Sequence, residues 1–506
     1  MASGTHNGRT IFGYSKITSR ICNFCDAPER VRISRLCHAA FQGAAPLIWK
    51  YVKGVHNFLA LLPELEVTVY PNHHTCNLHL QERWPKGTNS KSATTRLQIY
   101  AASVKTLKVY SEPILYRSFH WPILAPYLQS QILLPSLRVL DVSHSDGISA
   151  GHYSLWVRMF ACQSLGEVIL APRLFSYSEV VCGTSVGLEE MLDVVAEKSP
   201  HIWRLSVHPT FDCRSDDESQ RDLLDAATHT GPPFRSLQSL SRLTVLSCNT
   251  AMLVSCLNLL GDLPQLESLT VWSGGRKDTS FEQEPLSDSS FPVLTHLNLN
   301  FKQSIDALEL KSVLCMIPAL RNLTALRFCM EMYKAITDEN SWVQDLFLPS
   351  LKSLPRLGEL YFNCFPEGKE HLYLLLNVSN GSRKFLDSIM ALPLETVCFD
   401  MIHLGYYVPQ IIKAGWPHIT HFSVPFQRTD VQQLQAYTRL SNLQHLTLDL
   451  ILSIEYSEDS DDSNDFYSFG GSVGTMLHTL EGGPGSRIFC KTNEIEELTR
   501  CLKLAL

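Results

Sequence analysis

Several things are scarce in this 506-residue chain, and each scarcity removes a class of function. No apolar run approaches the roughly 18–20 residues that a membrane-spanning helix needs. Met1 to Arg20 is polar and lacks the apolar core of a secretory signal. Basic residues are not in excess: 43 Lys and Arg stand against 50 Asp and Glu, a net charge of −7. A nucleic-acid-binding repeat array would carry a basic stripe, so no nucleic-acid partner is expected. Charged residues make up 18% and hydrophobic ones 45%, the balance of a globular chain and not of a disordered one. The 15 cysteines are odd in number, scattered, and mostly set in apolar phrases (Cys162, Cys256, Cys315, Cys398). They read as core thiols of a reducing cytoplasmic or nuclear compartment and not as a disulfide framework.

Motifs of bond chemistry are thin as well. Neither Gly-x-x-x-x-Gly-Lys nor Gly-x-Gly-x-x-Gly occurs. Cys22-Asn23-Phe24-Cys25 has no second Cys-x-x-Cys to complete a four-ligand zinc site. His73-His74-Thr75-Cys76-Asn77-Leu78-His79 is denser in ligand types, but reads as a surface loop joining two domains. Gly470-Gly471-Ser472-Val473-Gly474 fits a nucleophile elbow, which requires an acid and then a histidine on later strands. Only 32 residues follow Gly474; they hold His478, six residues after the serine, and no Asp. A Gly-rich turn is expected there, and no metal, cofactor or enzymatic activity. Asn322-Leu323-Thr324, Asn377-Val378-Ser379 and Asn380-Gly381-Ser382 match a glycosylation acceptor and read as chance matches.

What the chain does have is a recurring phrase, Leu-x-x-Leu-x-Leu/Val/Phe. The clearest copies are Leu137-Leu140-Val142, Leu266-Leu269-Val271, Leu294-Leu297-Leu299, Leu357-Leu360-Phe362 and Leu443-Leu446-Leu448. Looser copies are Val104-Leu107-Val109, Leu165-Val168-Leu170, Ile202-Leu205-Val207, Leu240-Leu243-Val245, Leu323-Leu326-Phe328, Leu394-Val397-Phe399 and Ile419-Phe422-Val424. These twelve copies are spaced 24 to 38 residues apart, the signature of stacked repeats.

Within a copy such as Phe291 to Asn300, Leu297 and Leu299 alternate with His296, Asn298 and Asn300, which predicts a strand with one buried face. A proline often precedes the phrase (Pro135, Pro200, Pro264, Pro292, Pro318, Pro355, Pro393, Pro417), ending the previous segment and setting up a turn. Helical stretches lie between phrases. Gly187 to Lys198 carries Leu188, Met191, Leu192 and Val195 on one face; residues 219–227, 251–260, 384–391 and 430–437 read the same way. The expected fold class is α/β, with parallel strands along one side and helices along the other.

This pattern resembles leucine-rich repeats over residues 104–450. Most copies lack the Asn or Cys just past the strand that forms a ladder in that family, Cys248 being the clear one, so an irregular solenoid with uneven loops is expected. In such repeats, residues alternating with the buried ones point out of the concave sheet. Trp272, His296, Asn298, Phe301, Arg327, Tyr361, Asn363 and His421 are therefore the candidate contacts to a partner protein, Arg and aromatic side chains being frequent interface anchors.

Residues 11–53 carry no repeat phrase. Ile17 to Phe24 reads as a short helix ended by Asp26-Ala27-Pro28, Arg32 to Phe41 as a second, interrupted by Gly43 and Pro46, and Leu47 to Val52 as a third apolar segment. So small a unit has little core of its own and is usually completed by a partner. The runs Ile21-Cys22-x-Phe24-Cys25-Asp26, Ile33-Ser34-Arg35-Leu36-Cys37-His38-x-x-Phe41 and Leu47-Ile48-Trp49-Lys50, followed by Phe58 to Pro63, resemble the F-box of fungal proteins. The opening Leu-Pro of that family is replaced here by Gly13-Tyr14. The resemblance implies a Skp-type adaptor and cullin complex as partner, with Ile17, Ile21, Ile33, Leu36, Cys37, Phe41 and Trp49 toward the adaptor. It implies a non-catalytic substrate receptor of a ubiquitin ligase; a scaffold without adaptor binding is the alternative. Residues 54–103 connect the two regions. Residues 451–474 form an acidic and Gly-rich loop with six carboxylates between Glu455 and Asp465, and 475–506 a tail or cap whose Asn493 to Leu504 reads as a last helix.

Overall fold

The computed structural model describes residues 15–62, 65–71, 76–82, 98–110, 114–118, 132–143, 151–170, 183–210, 234–273, 286–287, 289–301, 313–314, 316–332, 348–366, 374–375, 388–400, 402–403, 415–429, 434, 437, 440–453, 479–482 and 487–489. The helices expected at 219–227 and 493–504, the acidic block, the Gly470–Gly474 turn, half of 384–391 and most of 430–437 lie outside these residues. The chain divides into two compact units, the first built mainly from residues up to Leu259 and the second from Leu260 onward.

In the first unit, the strands β1 (Tyr51–Lys53), β4 (Thr106–Lys108), β6 (Val139–Asp141), β7 (Glu167–Ile169), β9 (Arg204–Val207) and β11 (Val245–Asn249) pair in that order, all parallel. β2 (Leu65–Pro71), β3 (Cys76–Glu82) and β5 (Ile114–Ser118) form a separate three-stranded sheet, and β8 (Gly183–Thr184) pairs with β10 (Pro209–Thr210). In the second unit the order is β12 (Ser268–Trp272), β13 (His296–Phe301), β14 (Ala325–Met332), β15 (Glu359–Pro366), β17 (Thr396–Asp400), β19 (His421–Thr429), β20 (His445–Ser453) and β21 (Thr479–Gly482), again parallel. β16 (Leu374–Leu375) pairs with β18 (Ile402–His403), and β22 (Arg487–Phe489) with the far end of β20.

The phrase sets this register. In the second unit Leu269, Leu297, Leu326, Leu360, Val397, Phe422 and Leu446 are successive Cα partners, each 0 or 1% exposed. Burying each such side chain stabilises by about 1.5–3 kcal/mol, and it is available only when neighbouring repeats stack. A second buried row, Val271, Leu299, Phe328, Phe362 and Phe399, runs beside it, with the Phe328 and Phe362 rings stacked at 5.2 Å.

Backbone hydrogen bonds repeat with the same period. One carbonyl per repeat accepts two successive amides of the next: Glu267 from Thr295 and His296, Thr295 from Thr324 and Ala325, Thr324 from Gly358 and Glu359, then Gly358, Glu395 and Thr420 in turn. Lys50, Lys105, Arg138, Gly166 and Trp203 play this part in the first unit. Where the residue after the first phrase leucine is threonine, its hydroxyl donates to the same carbonyl, as Thr244, Thr295, Thr324 and Thr420 do. Before many of these strands sits a tight turn. The amides of Leu137, Leu165, Leu294, Leu323, Leu357 and Leu443 donate to the carbonyl three residues back. Pro135, Pro292, Pro355 and Pro417 stand second in this turn, where their fixed φ suits it.

One copy of the phrase differs from expectation. The residues in register are Leu243, Leu246 and Cys248, not Leu240, Leu243 and Val245, since Leu246 pairs with Leu205 and Cys248 with Val207. Leu240 supplies the turn, and Val245 is half-buried on the outward side. The ladder also reaches past 104–450: Val52 pairs with Leu107 and Leu480 with Leu446. Residues 51–53, expected in an apolar helical segment, form an edge strand instead.

The helix expected at 187–198 is α6 (Ser185–Lys198), and a further helix, α5 (Gly151–Phe160), stands where the sequence reading placed none. Leu188, Met191, Leu192 and Val195 are fully buried, and Arg158 and Glu190 bridge the two helices at 2.8 Å. The stretch 251–260 breaks after α7 (Thr250–Ser255), which is capped by the Asn249 side chain accepting from the Met252 amide at 3.0 Å. Among the described residues no helix is long and apolar enough to cross a membrane.

Two outcomes check this fold. Leu246→Ala should cost about 2–5 kcal/mol in urea unfolding and Val245→Ala less than about 1 kcal/mol; the reverse order would restore the other register. His208 is fully buried after β9, with Nε2 3.3 Å from the Ser247 hydroxyl and Nδ1 without a hydrogen-bond partner. Burial lowers its pKa to about 3. The unfolded chain then binds more protons than the folded one below pH 6.5, so stability present above that pH is lost on acidification. Between pH 6.5 and 5 the loss should be about 2 kcal/mol, and His208→Phe should remove most of that pH dependence in thermal melts.

Candidate interaction surface

Alternation in the second-unit strands leaves rows of side chains on the face opposite the buried leucines. One row runs Ser268, His296, Ala325, Glu359, Thr396, His421, His445 and Thr479; the next runs Thr270, Asn298, Arg327, Tyr361, Cys398, Ser423, Thr447 and Glu481. Neighbours in these rows interact because parallel pairing holds them one strand apart. Asn298 Nδ2 donates to Thr270 Oγ1 at 3.3 Å. The Arg327 guanidinium lies 4.9 Å from the Tyr361 ring centroid, and the Tyr361 hydroxyl donates to Glu359 Oε2 at 3.4 Å. His421 and His445 stack at 4.3 Å. Thr447 Oγ1 donates to Glu481 Oε2 at 3.3 Å.

These contacts tune the groups. Burial first, and the Glu359 carboxylate next, push the Tyr361 hydroxyl pKa up. Burial likewise raises the Cys398 thiol, against the lowering effect of a hydrogen bond with Ser423. Desolvation and the facing His445 hold His421 below its ordinary value. The surface presents a cation held over an aromatic ring, carboxylates, amides and imidazoles in register.

Of the eight residues expected to meet a partner, His296, Arg327 and His421 are exposed on this face, and Asn298, Tyr361 and Asn363 are half-buried there. Asn363 keeps a buried Oδ1 with no hydrogen-bond partner. Two depart from expectation. Phe301 shares the parity of Leu297 and Leu299, is 1% exposed, and packs its ring 5.4 Å from Phe328, so it belongs to the core. Trp272 has outward parity, in register with Asn300, yet is 8% exposed. Glu359, Cys398, Ser423, His445, Thr447 and Glu481 are further members of the rows. All but Glu481 sit within or beside recognised phrases, so period-two alternation alone could have found them.

The N-terminal segment forms α1 (Ser15–Asn23), α2 (Ala27–Ser34) and α3 (His38–Ile48). The single helix expected over 32–41 is two. Asp26 does not merely end α1; it starts α2 through a capping box with Glu29. Cys37 caps α3, its sulfur accepting from the Ala40 amide at 3.4 Å. Gly43 lies inside α3 because α1 crosses there: a Cβ would fall 2.6 Å from the Ser15 carbonyl oxygen. Of the residues assigned to an adaptor, Ile17 (43%), Leu36 (60%) and Cys37 are exposed, as is Phe24 (93%). Ile21 and Ile33 are half-buried. Phe41 and Trp49 lean on Tyr100, their ring centroids 6.1 and 4.5 Å from it. Cys22 is buried, which raises its thiol pKa. Among the described residues no group of three His, Cys, Asp or Glu side chains is placed to hold a metal. His73 to Thr75 lie outside them.

No family model matches the chain, and no curated protein does. Among solved structures, it is similar to a chain of the complex of Toll with Spatzle, a hub in Drosophila development and innate immunity. The identity is 12% and the TM-score 0.28; the match covers 74% of this chain and 50% of that one, so this chain spans about half its length. The repeat architecture therefore rests on the strand register itself.

Because Trp49 packs internally, Trp49→Ala should destabilise the helical segment by about 1–3 kcal/mol in chemical denaturation, whereas Leu36→Asp should leave stability within about 0.5 kcal/mol.

Proposed function

We propose that this chain is a non-catalytic substrate-recognition subunit of a Skp–cullin–F-box type ubiquitin ligase, acting in the cytoplasm or nucleus. Its repeat strands hold a target protein, and its N-terminal helices dock on the Skp-type adaptor. Its contribution is proximity: the target is brought close to a ubiquitin-loaded enzyme. The observation that carries the target-binding half is the aligned outward row centred on Arg327 and Tyr361. Arg over an aromatic ring is a frequent anchor of protein interfaces. The adaptor half is supported by the exposed apolar Ile17 on α1, Phe24 just after it and Leu36 between α2 and α3.

A second reading, a protein-interaction scaffold without adaptor binding, is favoured by a specific pair of contacts. Phe41 and Trp49, which an adaptor would engage, already face Tyr100 of the same chain, and Gly13-Tyr14 stands where the family has Leu-Pro.

Co-expression with a Skp-type adaptor separates the two. The receptor reading expects stoichiometric capture by the full chain, lost in Leu36→Asp with an unchanged melting temperature. Absence of capture by the wild-type chain leaves the scaffold reading. Target binding is checked in parallel: Arg327→Ala and Tyr361→Ala should each weaken a pulled-down target about tenfold or more, with the protein still folded.

A further inference from the structure

The turns that precede the strands form a second surface, apart from the strand face. In three successive repeats of the second unit, Pro292, Arg321-Asn322 and Pro355-Arg356 occupy corresponding turn positions. A cleft of about 520 Å³ opens among them, with Ser289 and Ser290 on its wall. Among the described residues its polar lining is two guanidiniums, one side-chain amide and two hydroxyls.

The hydrogen bonds make it a donor site. Asn322 Nδ2 donates to the Pro292 carbonyl at 2.7 Å, and its Oδ1 accepts from Arg356 Nη1 at 2.9 Å. The amide's acceptor oxygen is thus engaged, and Arg356 is steadied through one of its five N–H groups. The Asn322 amide nitrogen is engaged as well. The serine wall is also fixed. Phe291 sits at φ 54° with its amide donating to the Gly261 carbonyl at 2.7 Å. Gly261 admits that approach because a Cβ there would lie 3.0 Å from Ser290 Cβ.

Two guanidiniums beside hydroxyls match the oxygens of a tetrahedral oxyanion. The volume is that of a site for an organic ligand, roughly 300–1,000 Å³, and Pro292 and Pro355 stand beside the cations. We propose that this cleft binds a phosphate monoester carried on a larger organic body. Arg321 and Arg356 hold the phosphate, and Pro292 and Pro355 pack against the carrier. The site lies outside the strand rows and stands whether or not those rows bind a target.

Calorimetric titration of the full chain at low salt tests this with three probes: inorganic phosphate, glucose 6-phosphate, and a pool of phosphoserine heptapeptides. At least one of the two carriers should bind about tenfold or more tightly than inorganic phosphate, and which one identifies the source. Arg321→Gln, Arg356→Gln and the exposed Ser289→Asp should each weaken that binding by about tenfold or more, with unchanged melting temperatures. The proposal is overturned if no probe binds, if inorganic phosphate binds as tightly as both carriers, or if the three variants keep wild-type affinity.

Discussion

One backbone carbonyl per repeat, shared by two amides of the next, is the constraint on which the rest of this structure depends. It fixes each strand's position along its neighbour, and a strand's side chains alternate with period two, so a slip of one residue would turn every leucine of a repeat outward. The carbonyls of Glu267, Thr295, Thr324, Gly358, Glu395 and Thr420 hold the second unit to one register. Burial of the Leu297 row then rewards that register, and hydrogen bonds from Thr295, Thr324 and Thr420 reinforce it locally. The outward rows follow as a consequence, since Arg327 stands beside Tyr361 only because Leu326 stands beside Leu360.

Much of this was legible in the sequence, because apolar periodicity is a direct imprint of burial. Eleven of the twelve phrases lie as read, and the α6 face is the one its spacing predicts. The misread copy, at Leu240, shows why: three apolar residues at three-residue spacing (Leu240, Leu243, Leu246) fit the phrase in two frames, and only pairing with β9 decides between them. β1 was hidden because three residues at a ladder edge carry too little pattern to separate from a helical segment. Cys37 and Asp26 were read as mid-helix and helix-end residues, though their own side chains cap the helices that follow and so set those boundaries. Phe301 was misassigned against its own parity, which the alternation in His296–Phe301 already contained.

The candidate surfaces were legible to different degrees. Strand-face residues can be counted off by alternation, so His296, Arg327 and His421 were accessible to sequence reasoning. The turn-edge cleft was not. It depends on Asn322 and Arg356 occupying equivalent turn positions in adjacent repeats, 34 residues apart in sequence, and only the stacking brings them together. The same stacking gives the protein two chemically different edges: mixed polar rows on the strand face, and a cationic, donor-rich turn edge.

The most direct test of this account is residue-resolved amide hydrogen exchange on the full chain. The account predicts slow exchange recurring with the repeat, at the amide pairs Thr295/His296, Thr324/Ala325, Gly358/Glu359, Glu395/Thr396, Thr420/His421 and Gln444/His445. Leu326→Ala should speed exchange first at the pairs that flank it. Rapid exchange at these pairs in the native chain, or protection that ignores the period, would contradict the shared-carbonyl register and with it both surfaces.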